Sequence, residues 1–460
     1  MDWWVRWNRE LARPVDNMPL VLFRVMFGFL LFLEAAGSIA TGWVNEVYVA
    51  PVYSFPHIGF GWVRPLPGAG MYVYYAVMAV PALLVMVGAY FRPALALFTT
   101  MWLGVYLGQT SNYNNHYYLM VLLCVLLLAT PANADLSVDA ERGRVRRSST
   151  CPRWCIGIFV AQIAIVYFYA ALAKFDPDWL AARPVEIWMR AKQSYPVLGP
   201  LYVQPWFKWF VVYGGILFDG LVVPLLLWRR TRWFAVGLSV FFHLFNSYTF
   251  RIGIFPYLGI GFCIFFFPGE GMRQWLRSTR LGRFCAAPGA ESTAGAATTS
   301  PPTVALAVYF ALQLLLPLRH HLYEGNPHWT EQGHRMSWHM MLRTKSGTAV
   351  MRVVDRKTGE SWAVHPRDML SPKQAERVAT RPDMMWRFSR YVRERYEREG
   401  RDVAVYADTR VSLNGRRSQP LVDTNVDLSR APWPWVAPLP WLEPLREDVG
   451  GAVRDVDRGR

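Results

Sequence analysis

The chain divides into a strongly apolar part, up to about residue 270, and a mixed, charged last third. Short polar or basic loops separate the long apolar runs of the first part. Because about 20 apolar residues cross a bilayer as a helix, the pattern predicts a polytopic α-helical membrane protein with about eight to nine transmembrane helices. The predicted spans are residues 19–40, 71–90, 94–109, 117–130, 156–174, 209–228, 233–250, 252–268 and 303–318.

The pattern of the last third of the chain predicts a C-terminal extracytoplasmic α+β domain that is rich in β-structure. Apolar runs at 350–354 and 362–364 flank the turn-forming residues 355–359, which indicates a β-hairpin. The further predicted elements are a helix over 371–399 and a second pair of strands over 403–406 and 410–413.

This pattern predicts four consecutive segments. They are a transmembrane helical core over 1–268, a basic cytoplasmic loop and flexible linker over 269–302, a last transmembrane helix over 303–318, and the extracytoplasmic domain over 319–460. The first apolar run is too long for a cleavable signal peptide, so none is expected. Residues from about 448 are expected to be loosely ordered.

Charge orients the predicted spans. The net charge is +16, and many of the basic residues lie in loops between apolar runs. Since Lys and Arg favour the cytoplasmic side, we expect a cytoplasmic N-terminus and an extracytoplasmic tail. No nucleic-acid-binding motif accompanies the positive charge, so nucleic acid is not an expected partner. None of the five cysteines follows residue 285, so we expect no disulfide in the tail.

The predicted topology brings three polar residues to one level of the membrane. His116 begins a span, Lys174 ends one, and His243 lies inside one, with Asn246 and Ser247 on the same helix face. Polar groups inside a membrane are costly, so their collection favours a shared site. Two interpretations of Lys174 stand side by side: a lysine anchored in the headgroups, or an amine held neutral in a dry pocket and used as a base.

No metal site is predicted. The two membrane histidines have no carboxylate at ligand spacing, and the pair Cys151 and Cys155 lacks other soft ligands. Adjacent His320 and His321 at the last membrane exit are expected to be solvated. A non-catalytic quinone or lipid carrier is an alternative class, but its repeated halves with broken helices are absent from the sequence.

Several sequence blocks resemble a known family. They are NNHYYL at 114–119, IVYFYAALAKFDPDW at 165–179, FHLFNSYTFRIGIFPY at 242–257, QLLLPLRHHLYEGNPHWT at 313–330 and MSWHMMLRT at 336–344. In this order they resemble the vitamin K-dependent γ-glutamyl carboxylases and related bacterial proteins with a horizontally transferred transmembrane domain.

The resemblance implies an activity and its reactants. Reduced vitamin K, a naphthohydroquinone, reacts with O₂ and ends as the epoxide. The strong base formed removes a γ-proton from a peptide glutamate, and the carbanion takes up CO₂. The implied partners are a glutamate-containing peptide or protein, the quinone and the lipid bilayer, and the implied location is the plasma membrane of a prokaryote.

The resemblance also implies roles for individual residues. The catalytic residues are Lys174, His116 and His243, and an E-x-x-x-R pattern appears as Glu186 and Arg190. The expected substrate-binding residues are Asn115, Arg190, Asn246, Arg251, Trp338, Met340 and Met341. A guanidinium, from Arg190 or Arg251, is suited to hold the substrate carboxylate.

The tail block departs from the animal enzymes at two positions. His339 stands where those enzymes have an acidic residue, and Arg343 where they have histidine. Hydroquinone oxygenation without glutamate carboxylation is therefore the second function that the sequence supports.

Overall fold

The computed structural model describes residues 2–286 and 302–446. It consists of a helical half and a sheet-containing tail domain. Most of the predicted linker, and the chain end from 448, lie outside the described residues.

Helices occupy all of the predicted apolar runs. The elements up to the linker are α1 (Asp2–Ala12), β1 (Pro14–Asp16), α2 (Met18–Ala40), α3 (Gly70–Val87), α4 (Phe91–Gly108), α5 (Asn115–Leu128), α6 (Val138–Glu141), β2 (Thr150–Pro152), α7 (Trp154–Ala173), α8 (Pro177–Leu180), α9 (Arg183–Arg190), α10 (Gly199–Tyr202), α11 (Phe207–Leu227), α12 (Arg232–Phe250), α13 (Phe255–Gly261) and α14 (Gly269–Arg277). After the linker come α15 (Thr303–Leu315), α16 (Pro327–Thr330), β3 (Lys345–Asp355), β4 (Ser361–Val364), α17 (Pro366–Met369), α18 (Pro372–Thr380), α19 (Pro382–Arg398) and β5 (Val403–Leu413).

Five of the described helices are long and apolar enough to cross a membrane: α2, α3, α7, α11 and the continuous segment Thr303–Leu322. The pair Phe255–Phe266 and Gly269–Arg277 is bent by 104°, and counting it as one span gives six. The remaining predicted spans also form helices, but α5 is shorter, and α4 and α12 carry more polar residues. The structure therefore supports a membrane protein with five to six such helices.

Glycines allow some of the membrane helices to approach closely. A Cβ atom at Gly28 of α2 would lie 2.5 Å from the backbone nitrogen of Met86 on α3, so only glycine permits this contact. On α11, a Cβ atom at Gly215 would lie 3.4 Å from Cε of Lys174. The small residue leaves room for the lysine side chain between α7 and α11.

Arg273 fixes the bent helix α14 to the start of the chain. Its guanidinium is buried and donates to Asp16 Oδ2 at 2.7 Å and to Asn17 Oδ1 at 2.7 Å, and it also pairs with Asp135. Breaking such a buried network leaves unpaired charges and costs several kcal/mol, about 3–5 kcal/mol for one partner. The network therefore holds α14 beside the antiparallel pair of β1 and β2.

The tail domain is built on a three-stranded antiparallel sheet in the order β4-β3-β5. The predicted hairpin is confirmed as β3 and β4, with Met351 opposite Val364. Apolar side chains of β3 and β5 pack with those of α18 and α19 in a separate core. Among its fully buried members are Met351, Val353, Phe388 and Val405.

Two predicted tail elements differ from the structure. The strands expected over 403–406 and 410–413 are one strand, β5, because alternating burial continues through the polar residues Asp408 and Thr409. The single helix expected over 371–399 is two helices, α18 and α19. The break falls at Arg381 and Pro382, since proline lacks the N–H that would continue α18 and is suited to the first turn of a new helix.

The tail domain packs on the helical half through specific polar contacts. Asp178, in α8, accepts two hydrogen bonds from Arg416, at 2.5 and 2.7 Å, and one from Asn414 at 2.8 Å. Gln374 of α18 donates to the carbonyl of Tyr53 at 2.8 Å. The acidic end of the block at 165–179 therefore joins the two parts of the protein.

Candidate active site

Lys174 caps the C-terminal end of α7, and its side chain is buried. Nζ lies 2.5 Å from Oδ2 of Asp219 on α11 and 3.3 Å from the carbonyl oxygen of Ala170. The ammonium position also lies 5.5 Å from the ring centre of Trp179. The lysine therefore turns inward to a carboxylate, which is not the geometry of a side chain that reaches out to headgroups.

Asp219 is the most important residue that the sequence prediction missed. It lies in the middle of the apolar run of α11 and is 5% exposed. A lone acid within a membrane helix is a recognisable functional signal. Oδ2 of Asp219 lies beside Nζ of Lys174, so the lysine is one half of a buried pair and does not lie alone in an apolar pocket.

His243 of α12 is buried and is held by a residue of α7. Its Nε2 lies 2.9 Å from the hydroxyl oxygen of Tyr167. Its Nδ1 is buried and has no hydrogen-bond partner among the described residues. A Cβ atom at Gly259 would lie 2.3 Å from His243 Cε1, so the imidazole packs directly on the backbone of α13.

Aromatic rings connect His243 with His116. Phe255, the first residue of α13, stacks on His116 at 5.5 Å and meets His243 edge to face at 6.1 Å. On the other side, His243 contacts Phe218 at 5.7 Å, and Phe218 is the neighbour of Asp219. Ring contacts therefore connect His116 to His243 and Phe218, and the backbone of α11 connects Phe218 to Asp219, the partner of Lys174.

The tail reaches this path through the segment 336–341. Asn115, next to His116, donates to the carbonyl of His339 at 3.3 Å. Trp338 is buried against Tyr118, with ring centres 5.3 Å apart, and Met340 packs on the membrane core. Met341 is 38% exposed and does not take part in this packing.

The backbone of this segment is strained. Met336, Trp338 and Met341 have φ values of 58°, 59° and 56°, in the left-handed region that side chains other than glycine rarely adopt. Each such residue costs about 1–3 kcal/mol and persists where surrounding contacts impose it. Such strain is common at binding and catalytic sites, so the segment is a second candidate part of the site.

Two family models cover most of the chain. Residues 12–270 match the HTTM domain, and residues 299–448 match the lumenal domain of vitamin K-dependent gamma-carboxylase. The chain belongs to the vitamin K-dependent γ-carboxylase family. It is therefore an enzyme of this carboxylase class, for which vitamin K hydroquinone, a peptide substrate and a membrane location are implied, with a non-cytoplasmic C-terminal domain. No solved structure matches the chain.

The carboxylase has a small internal cavity beside His243. It is lined by Tyr167, Ser239, Gly259, Cys263 and apolar side chains, and its volume of about 10 Å³ has room for about one water molecule. Two of its lining residues, Tyr167 and Gly259, are also the residues that hold His243 in place. A naphthoquinone ring would fit there only after side chains move apart.

The other predicted binding residues are exposed or half-buried. Arg190 is exposed and donates to Glu186 at 2.6 Å, and Glu186 also accepts from Lys208 at 2.8 Å. Arg251 is exposed at the end of α12, with its guanidinium 5.9 Å from the Tyr195 ring. Asn246 is half-buried one turn after His243.

Proposed function

We propose that the carboxylase couples oxygenation of reduced vitamin K, to the epoxide, with γ-carboxylation of a peptide glutamate. The observation that carries the proposal is the buried pair of Lys174 and Asp219, which ends the path of rings from His116. A buried pair of this kind can take up a proton from a weakly acidic hydroxyl group without leaving an isolated charge behind.

The Lys174–Asp219 pair acts as one proton acceptor. When the shared proton lies on Asp219, the Lys174 amine is free to accept the proton of a bound hydroxyl group. The negative charge that then develops on the hydroxyl oxygen lies beside the cationic amine of Lys174. Lys174 is only 6% exposed, and electrostatic attraction at a buried position is stronger than in water. Asp219 thus holds the shared proton while Lys174 accepts the new one, and contacts with Ala170 and Trp179 fix the position of the lysine.

His243 and His116 orient the reactants. Tyr167 fixes Nε2 of His243 and leaves Nδ1 for a ligand oxygen. His116, stacked on Phe255, lies next to Asn115 at the contact with the tail. When bound, the hydroquinone with O₂ supplies the strong base and leaves as the epoxide. The surrounding phenyl rings exclude water from this chemistry.

Glutamate carboxylation takes place toward the tail. The γ-carbon of a peptide glutamate loses a proton and forms a new carbon–carbon bond to CO₂. Trp338, Met340 and Met341 form the peptide side of the site, and Arg190 or Arg251 binds a substrate carboxylate. The strained segment 336–341, with its contact to Asn115, supports this assignment.

We further propose the predicted membrane arrangement, with eight or nine crossings, a cytoplasmic N-terminus and the tail outside the plasma membrane of a prokaryote. The proposed boundaries are a core over 1–268, a cytoplasmic linker over 269–302, a last span over 303–318 and a substrate domain over 319–460. The helices in every predicted run and the basic loops support this arrangement.

The decisive experiment measures both halves of the reaction. The purified full chain receives reduced naphthoquinone, O₂, labelled CO₂ and a glutamate peptide, and both epoxide and incorporated label are counted. Lys174→Ala should abolish both products, while Lys357→Ala, in the exposed hairpin turn, should change neither. Epoxide without label would instead establish the oxygenase alternative, and unchanged activity of Lys174→Ala would refute the role of the lysine.

A further inference from the structure

Three histidines of the tail domain meet in one cluster beneath the contact with the membrane helices. One ring nitrogen from each of His328, His334 and His339 lies within 4.8 Å of the other two. His328 and His334 are 2% and 6% exposed, and His339 is half-buried. We propose that these three histidines bind one late first-row divalent metal ion, with zinc as the representative.

The first argument is that the cluster leaves polar atoms without partners. Nδ1 of each of the three rings is buried and makes no hydrogen bond with any described residue. Buried polar atoms are normally paired, because leaving them unpaired forfeits the free energy of their hydration. A single ion at the centre of the cluster would give a partner to all three rings at once.

The second argument is the packing of the three rings. Their ring centres lie 5.2 to 5.6 Å from one another, so one small ion between them can reach all three. Arg343 is held in an ion pair with Glu331, which compensates its positive charge.

The ligand set indicates the class of metal. Neutral imidazoles suit zinc, copper and nickel, whereas magnesium and calcium prefer oxygen ligands. Nitrogen ligands of tetrahedral zinc lie about 3.3 Å apart, because each zinc–nitrogen bond is about 2.0–2.1 Å. The three nitrogens lie within 4.8 Å of one another. Ring rotations that move each nitrogen by about 1 Å would bring them to the spacing of zinc ligands. Water would complete the coordination.

A carboxylate lies close to His328, one of the three proposed ligands. Oδ2 of Asp176 lies 3.8 Å from Nε2 of His328. Metal-bound histidines commonly direct their second nitrogen to a carboxylate, which fixes the ring. Asp176 also caps α8 by accepting from the Asp178 backbone, and it follows Lys174 by two residues. The ion would therefore tie the tail to the segment that carries the lysine.

The test uses the tag-free full chain in detergent, stripped with a chelator and dialysed against zinc. About one zinc per chain should bind, as counted by elemental analysis. Each of His328→Gln, His334→Gln and His339→Gln should weaken zinc binding by about tenfold or more. The exposed tail histidine provides the matched control, so His365→Gln should bind as the parent chain does.

Two measurements on the parent chain do not depend on the folding of a variant. Zinc should raise its midpoint of thermal unfolding, since a ligand of the folded state stabilises it. Cobalt should give the visible absorption of a nitrogen-coordinated ion. A chain that binds no zinc, or a triple glutamine variant that binds zinc as tightly as the parent, would overturn the proposal. Neither outcome depends on carboxylase activity, so this site and the proposed reaction are tested separately.

Discussion

Lys174 and Asp219 face each other across α7 and α11, with 2.5 Å between Nζ and Oδ2 and both side chains almost fully buried. In a membrane-embedded position, neither charge has water to stabilise it, so each depends on the other. The chemistry proposed for Lys174 is therefore that of the pair. A substitution of Asp219 tests this proposal as directly as a substitution of Lys174.

Asp219→Asn is expected to lower the rates of epoxide formation and of CO₂ incorporation by about 10²-fold or more, because the amide cannot accept the shared proton. Asp219→Glu should retain part of the activity. The control is Asp408→Asn, on the exposed face of β5, and both rates are measured in the same detergent. Full activity of Asp219→Asn would show that the lysine works alone.

Tyr167→Phe removes the hydroxyl group that lies 2.9 Å from Nε2 of His243. We expect the maximal rate to fall by about tenfold, because the buried imidazole loses the partner that sets its orientation. Tyr213→Phe on the exposed side of α11 should leave the rate unchanged. A Tyr167→Phe enzyme with an unchanged rate would contradict the orienting role.

Gly259→Ala tests the close packing of His243 on α13. The new methyl group would lie 2.3 Å from Cε1, so the imidazole must move by about 1 Å to regain normal contact. We expect a loss of about 1–3 kcal/mol in stability and a lower rate of epoxide formation. Gly237→Ala is the matched control, because nothing lies within 4 Å of its Cβ position.

The contact of Asp178 with Arg416 predicts a pH-dependent link between the two halves. Burial opposes ionisation of Asp178, but hydrogen bonds from Arg416 and Asn414 hold its pKa below the usual range. Because the pKa of Asp178 is lower in the folded state, ionised Asp178 stabilises the folded state fully above its unfolded-state pKa of about 3.9. This stabilisation is lost as the pH falls through the lower, folded-state pKa.

Asp178→Asn should therefore reduce stability at pH 7 by about 1.5–3 kcal/mol, and the difference from the parent should shrink below about pH 4. Thermal unfolding of the full chain between pH 3 and pH 7 measures this difference. Arg416→Gln should give a similar loss, and the double variant should lose less than the sum of both. Exactly additive losses would show that the two residues act independently.

The sequence predicted the helical half well because its signals are local. Apolar runs fixed the positions of the helices, and Lys174 and His243 stood out as polar residues at the edge of such runs or within them. The same logic applied to Asp219, which was overlooked although it interrupts the run of α11. The role of Phe255 gave no such signal, because one phenylalanine among many has no distinguishing chemistry.

Other features arise only from tertiary structure. His328, His334 and His339 follow no helical or strand period, and they meet because the chain between them is irregular. The positive φ values at Met336, Trp338 and Met341 cannot be read from residue types that usually avoid them. In β5, the alternation of buried and exposed residues continues through Asp408 and Thr409, so the two predicted strands form one.

Phe255 separates the imidazoles of His116 and His243 with a ring that has no exchangeable proton. Along this path the phenyl ring has no group that accepts or donates a proton, so it cannot relay a proton between the two histidines. In the proposed mechanism, a proton released at the Lys174 end would therefore travel along this path only with a bound reactant. The two proposed half-reactions would then be coupled by the reactant and not by a chain of side chains.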